Sequence, residues 1–464
     1  MKKDRLLIYF IVLLLGLIIS FLVTKTRFDI KTISLLFFFL IFIPTLLNPD
    51  IGLIVIIVSM LFSPEVIIGE TIRREISIRI EDIFLLVILL AWFMRITLTK
   101  DIASIFRIRL TPLFFSYIAV CVISTVLSVI FSGEINIKHS FFSTLKYLEY
   151  YFLFLMVRDN MRSLRQSKIF VAIFLLTALM VAIHSNVFIE EQQRMGTTFF
   201  RTAPPVETRG GGEAGTLGGY LVLMIAVAGG LLLYARSIPI RIFLVLLELL
   251  MFRSFLYSLS RGSYIAIIPT VMALIYFSPK GRPLLTFVVV SILISTVVFM
   301  PQMIKDRIAT TVATHEDAEG IHVEWEESPQ FRIESWKFVL FERFPKSPIF
   351  GHGVGKFFID SQLFSTLTEV GLAGLILFLW VLVTLFKMAR DIFNMDLVKN
   401  DHFSHGLTLG FLGGFVGLLA HAISTNTFII IRIMEPFWFI AAIVLSLPKL
   451  LMQEKEASEK EIIL

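Results

Sequence analysis

The chain carries little charge for its length. Only 17% of its 464 residues are Asp, Glu, Lys or Arg, where a soluble protein has about 25%. That is too little to cover a water-facing surface of this size. A set of soluble domains is therefore excluded, and lipid has to be part of the solvent. Cysteine is nearly missing. The single thiol, Cys121, sits in an apolar run. No internal disulfide can form, and Cys121 reads as a small buried hydrophobe. No internal repeat is visible, which removes support for an inverted-repeat transporter. No His, Cys, Asp and Glu spacing matches a metal motif. The stretch Gly351-His-Gly-Val-Gly-Lys356 lacks the Walker spacing and the hydroxyl residue after lysine, which excludes a nucleotide-phosphate loop. No metal, cofactor or nucleic acid is expected.

Apolar length is what the chain has instead. Hydrophobic residues make up 56%, phenylalanine alone contributes 46 positions, and the mean hydropathy is +0.85. A helix needs roughly 20 apolar residues to cross about 30 Å of hydrocarbon. Runs of that kind fall at residues 6–23, 31–47, 51–68, 83–98, 112–131, 141–157, 169–189, 216–234, 242–259, 263–278, 283–300, 362–386, 403–425 and 428–448. The expected fold is an all-α polytopic membrane bundle of about 12–14 transmembrane helices with a large periplasmic loop. The first run follows Met1-Lys2-Lys3-Asp4-Arg5. It is longer than a signal-peptide core and has no small-x-small cleavage site, so it is read as a retained first helix. Lys and Arg cluster at 95–110, 158–168, Arg236 and Arg241, Lys280 and Arg282, and Lys387 to Lys399. The positive-inside rule then places both termini in the cytoplasm of a bacterial inner membrane. Lys25, Arg27 and Lys31 fit that frame poorly. The expected organisation is a bundle over 1–300 with an outer loop at 190–215, an outer loop with an interfacial helix over 301–361, and C-terminal helices with a charged tail over 362–464.

The outer segments hold the residues of interest. Residues 190–215 carry Arg194, Arg201 and Arg209 and lead to a glycine-rich helix start. Arginine forks suit phosphate and carboxylate oxygens, and glycine lets backbone approach a ligand. A solvated linker is the alternative. Ser260-Arg261-Gly262 ends another span. Arg261 either binds an anion there or snorkels to the interface, and Arg253 within the run reads as half of an ion pair. The acidic stretch 314–327 reads as a solvated charge run. After it, Trp336, Val339, Leu340 and Phe344 recur at helical spacing, as in a helix lying on the interface. Pro348 to Lys356 reads as a tight, backbone-exposed loop at a cavity mouth. Asp360 opens the next span and Glu369 lies nearly halfway down it. An ionisable group at that depth is a functional candidate. Arg432 and Glu435, three apart in the last span, read as an intramembrane pair.

In their order these features resemble the O-antigen ligase and Wzy-type O-antigen polymerase superfamily. The matching elements are Arg194 with Gly196, Ser260-Arg261-Gly262, Arg332 to Trp336, Pro348 to Gly355, and Asp360-Ser361 through Glu369 to Gly374. The resemblance covers about residues 190–380 and the rest only as a membrane bundle. It implies transfer of a glycan from an undecaprenyl-pyrophosphate donor to a hydroxyl of a saccharide or lipid A-core acceptor at the periplasmic face. No metal or cofactor is implied, and a chain-length regulator is an implied partner. Arg194 and Arg261 would hold the pyrophosphate, Asp360 would take the acceptor proton, and Arg332, Glu369, His352 and Arg209 would bind or position substrate. One departure matters. Asp360 stands where the superfamily has a histidine, and an aspartate with an ordinary pKa of about 3.9 is the weaker base. His352 is then a second candidate base. Two other readings stay open: a transporter of small solutes such as bicarbonate, and a non-catalytic component of a polysaccharide export complex.

Overall fold

A computed structural model describes residues 42–45, 47–63, 65–70, 75–99, 108–132, 135–197, 200–205, 214–278, 305, 312–317, 320–325, 327–357 and 359–463. The expected spans at 6–23 and 283–300, most of 31–47, and Arg209 lie outside the described residues. The chain forms helices α1 (Pro49–Phe62), α2 (Ile80–Thr99), α3 (Leu110–Ser132), α4 (Ile137–Asn160), α5 (Leu164–Arg194), α6 (Ala214–Tyr234), α7 (Ile238–Leu256), α8 (Arg261–Phe277), α9 (Glu327–Phe338), α10 (Gln362–Asn394), α11 (Asp396–Asn400), α12 (His402–His421) and α13 (Ile431–Ile463). The all-α polytopic bundle is therefore present. Six of these helices (α3, α5, α6, α10, α12 and α13) are long and apolar enough to cross a membrane, and α1, α8 and part of α2 are shorter apolar helices. Two short antiparallel hairpins depart from the all-helical expectation: β1 (Glu65–Glu70) with β2 (Glu75–Arg79), and β3 (Val312–Asp317) with β4 (Gly320–Trp325). The second takes up most of the acidic stretch and sets His315 opposite His322.

Helix α13 is the axis of the bundle. In its apolar window 89% of residues are buried, against 33% for α3 and 39% for α10, which lie at the lipid-facing edge. Phe437 and Phe439 of α13 pack into Phe411 and Phe415 of α12 and Phe170 and Phe174 of α5. Where helices must come closer than phenylalanine allows, glycine replaces it. A Cβ on Gly230 of α6 would lie 2.5 Å from the Gly406 carbonyl of α12, so these two backbones touch directly, as small residues permit in membranes. Two sets of charges in the helices are paired, which lowers their desolvation cost. Lys146 of α4 bonds Asp82 of α2 at 2.6 Å and Glu149 at 2.8 Å. Arg253 of α7 donates to Asn186 of α5 at 3.0 Å and lies 3.5 Å from Glu190.

The long helix α10 is broken at Gly371, whose φ is 65° and ψ is −165°. A break frees backbone groups that lipid cannot satisfy. Residues 348–355 satisfy them. Leu372 and Ala373 N–H groups donate to the Pro348 and Ile349 carbonyls, and the His352 and Gly353 N–H groups donate to the Thr368 and Glu369 carbonyls. Ser124 of α3 clamps the junction by accepting from Gly353 N at 3.0 Å and donating to the Glu369 carbonyl at 2.6 Å. Ser140 of α4 bonds the Val354 carbonyl at 2.6 Å. The Pro348–Gly355 segment is thus packed among α3, α4 and α10, with Gly351, Gly353 and Val354 buried. The sequence expectation of an exposed loop at a cavity mouth is corrected here: the glycines serve backbone-to-backbone pairing.

That pairing fixes which glycines tolerate a methyl group. Gly351 and Gly371 have left-handed φ, and a Cβ at either would strike the other segment's backbone. Gly196 has the same sign of φ but open space around it. Gly351→Ala or Gly371→Ala should lower stability by about 2–5 kcal/mol, the left-handed cost plus overpacking, and Gly196→Ala by only about 1 kcal/mol. Unfolding midpoints in detergent measure the difference; equal losses at the three positions would contradict this packing.

Candidate functional site

The start of α8 is built to present Arg261. Leu259, just before it, has φ 52°, a left-handed conformation that costs a non-glycine residue about 1–2 kcal/mol. Burial of Leu259 with Ile189, Phe200 and Tyr257 offsets that cost. Ser260 caps the helix by accepting from Ser263 N at 3.3 Å, so the chain turns sharply and Arg261 becomes the first helical residue, half-buried. Strain of this sort is expected where a side chain must be aimed.

Beneath Arg261 lies a buried polar chain. Ser263 Oγ bonds Ser260 Oγ at 2.8 Å and His421 Nε2 at 3.1 Å. His421 Nδ1 bonds Thr427 Oγ1 at 2.8 Å. Ser263, His421 and Thr427 are each 0% exposed. The turn from α12 to α13, residues 422–430, wraps this chain. A Cβ at Gly262 would overlap the Ser424 hydroxyl. On the turn's other side, Gln362 at the start of α10 donates its N–H to the Ala422 carbonyl at 2.9 Å. Its Oε1 accepts from Phe428 N at 2.9 Å. Asp360 stands two residues before Gln362 and lies 3.9 Å from Arg332 of α9. Arg261 and the Arg332–Asp360 pair therefore flank one turn at one end of the bundle.

Helix α9 reaches that place through its apolar face. Trp336 stacks on Phe364 of α10 at 5.1 Å, and Val339 is buried with Ile359 and Leu367. A π-turn over Val339–Arg343 follows. Its extra residue rotates the face, so Phe344 returns to the apolar cluster while Leu340 is exposed. Three of the four expected face residues pack there, and the unread π-turn explains the fourth. Arg343 sits between the rings of Phe338 and Phe357, 4.6 and 4.7 Å from their centroids.

Other candidate residues go elsewhere. Arg194, at the end of α5, is 83% exposed, with only a loose contact to Glu190 at 3.8 Å. It stands at the rim and outside the hydrogen-bonded cluster. Glu369 faces the glycine segment, accepting from Gly355 N at 3.0 Å. His352 donates from Nε2 to the Arg343 carbonyl at 2.8 Å. Both side chains anchor the loop. The glycine-rich start of α6 also has a packing role: a Cβ on Gly219 would lie 3.0 Å from the His421 ring, and one on Gly218 would overlap Ser263. Arg432 is buried and donates to the Pro205 carbonyl at 3.2 Å, tying the start of α13 to the segment after Arg194. Glu435 is buried one turn further on.

The residue that sequence reasoning missed is His421. A lone histidine ending an apolar run, followed by Ser424, Thr425, Asn426 and Thr427, was a visible signal, but its partner Ser263 lies 158 positions away. Among the described residues no cluster of three or more metal-ligating side chains occurs. No family model and no curated protein matches the chain, so the chemistry of the site rests on its own residues. The Arg332–Asp360 pair is long and about a third exposed. A double-mutant cycle with Arg332→Gln and Asp360→Asn should show a coupling in stability below about 1 kcal/mol, shrinking as salt is raised. Unfolding in detergent at two ionic strengths measures it; a salt-independent coupling of several kcal/mol would mean the pair holds the fold.

Proposed function

We propose that the protein transfers a glycan from an undecaprenyl-pyrophosphate donor to an acceptor sugar hydroxyl at the periplasmic face of a bacterial inner membrane. The reading is that of a polymerase or ligase of O-antigen or exopolysaccharide type. The observation that carries it is that the start of α8, with Arg261, and the start of α10, preceded by the Arg332–Asp360 pair, both pack on the turn between α12 and α13. A polyprenyl donor keeps its tail in lipid and offers its pyrophosphate at the interface. A guanidinium at a helix start is suited to that charge.

In this reading Arg261 holds the pyrophosphate and stabilises the charge that grows on it as the glycosidic bond breaks. Asp360 accepts the proton of the attacking acceptor hydroxyl, and the acceptor oxygen takes the sugar carbon that the pyrophosphate leaves. Arg332 keeps the carboxylate of Asp360 oriented. Arg194, out on the rim, draws the anionic donor toward the site. Pyrophosphate is a good leaving group, so the chemistry asks nothing of a metal.

The test is glycan transfer by purified protein with a lipid-linked oligosaccharide. Asp360→Ala should lower the rate by about 100- to 10,000-fold, the usual worth of a positioned base. Arg261→Ala should abolish product while membrane expression stays intact. Arg194→Ala should mainly raise the donor KM, because its guanidinium is already in water. Normal product from both the Arg261 and Asp360 variants would end the assignment. Solute flux across proteoliposomes with no lipid-linked sugar present would favour transport instead.

A further inference from the structure

We propose that His421 is the positioning residue of this site: its ring fixes the start of α8, and with it Arg261, against the turn that also carries the start of α10 and Asp360. The inference rests on the proposed transfer only for its activity readout.

Hydrogen bonds run in both directions from the ring. Nε2 reaches Ser263, which shares a hydrogen bond with the capping hydroxyl of Ser260, the residue next to Arg261. Nδ1 reaches Thr427, and its neighbour Phe428 donates to Gln362 Oε1. The backbone repeats the connection, since Gln362 N bonds the Ala422 carbonyl beside His421. Two helices that are about 100 residues apart in sequence, α8 and α10, are thus joined by one imidazole and one glutamine. The ring supplies the hydrogen bond that ties this chain to α8. It is fully buried, so a shorter side chain leaves the Ser263 hydroxyl without the rigid partner that sets its position. Gly215 and Gly219 of α6 lie against the ring, which keeps it from swinging away. The role is positional because Ser263, not a substrate, occupies the Nε2 side.

A glutamine places an amide nitrogen near the Nε2 position of histidine, and an asparagine places one near Nδ1. His421→Gln should therefore keep the Ser263 bond, whereas His421→Asn and His421→Ala lose it. The closing experiment has an arm that needs no substrate. With Cys121→Ala removing the native thiol, cysteines are placed by Gly262→Cys and Ser424→Cys. A Cβ at Gly262 lies 3.4 Å from Ser424 Cβ, close to the spacing a disulfide takes, about 3.5–4.5 Å. Copper-phenanthroline oxidation should cross-link the pair efficiently with His421 or with His421→Gln. The yield should fall by more than half with His421→Ala or His421→Asn. Equal cross-linking in all four backgrounds overturns the proposal, whatever the protein's activity.

The second arm is transfer from lipid-linked oligosaccharide. His421→Ala should lower kcat about 100-fold, as expected when reacting groups are misplaced by about 1 Å, and His421→Gln should restore it to within a few-fold. A His421→Gln protein as inactive as His421→Ala would assign the ring a proton-transfer role and overturn positioning. If the cysteine pair cross-links as expected in the His421 background but the native protein transfers nothing, the functional reading fails while the positioning of Arg261 stands.

Discussion

Inside a bilayer every backbone polar group has to find its partner within the protein, and this requirement governs the half of the molecule that holds the site. The break at Gly371 would leave α10 with unsatisfied groups at membrane depth. The segment 348–355 supplies the missing partners from outside the helix. Such close pairing puts two backbones in contact at Gly351 and Gly371, where φ is positive and a Cβ would strike the opposite segment. The break in turn separates a short first part of α10, residues 362–370, from the long remainder. That short part is what carries Asp360 and Gln362 to the turn between α12 and α13.

The same logic explains why the polar residues gather in one tier. Ser260, Ser263, His421 and Thr427 bond one another, and Gln362 joins them through the backbone of the turn, so three helices and a turn are linked. Each is too deeply buried to exchange its partner for water. A network of this kind has to be fully satisfied to be tolerated, so it specifies the relative placement of α8, α10 and α12 more tightly than apolar contacts do. The strained Leu259 and the cap at Ser260 add a second constraint on Arg261. Rigid placement of a cation and a carboxylate is what electrostatic catalysis needs, because stabilisation of developing charge depends on groups that do not have to reorganise.

Much of this was legible in the sequence. Helices occupy the expected spans from 83–98 through 263–278 and from 362–386 to 428–448, because a run of about 20 apolar residues has few alternatives in lipid; the span expected at 51–68 is helical only to Phe62 and turns into strand β1 at Glu65. The Trp336 and Val339 face and a tie for Arg253 could also be read locally. The purpose of the glycines could not. A Pro-x-x-Gly-x-Gly stretch looks the same whether it approaches a ligand or another backbone, and only the φ of Gly371 and the Thr368 and Glu369 carbonyls decide it. His421 was illegible for a related reason: its meaning lies in Ser263, on another helix. Glu369 looked like a substrate group because charge at depth signals function, and His352 like a second base, while here Glu369 accepts from Gly355 N and His352 donates to the Arg343 carbonyl. The π-turn at 339–343 left no trace in the spacing of apolar residues.

The distribution of polar groups also weighs between the two classes of function. A transporter has to offer a polar path from one end of the bundle to the other. Below the His421 tier the described interior is closed by aromatic and glycine packing. Phe411, Phe415, Phe437 and Phe439 fill the centre, and α6 meets α12 backbone to backbone at Gly230 and Gly410. Glu248 of α7 is the exception, a carboxyl in the middle of its helix whose Oε1 is buried without a hydrogen-bond partner. It faces Gly229 of α6 across the interface. The His421 tier, by contrast, is a connected set of hydrogen bonds that joins the starts of two helices to one turn, an arrangement that holds groups in place rather than one that passes a solute along.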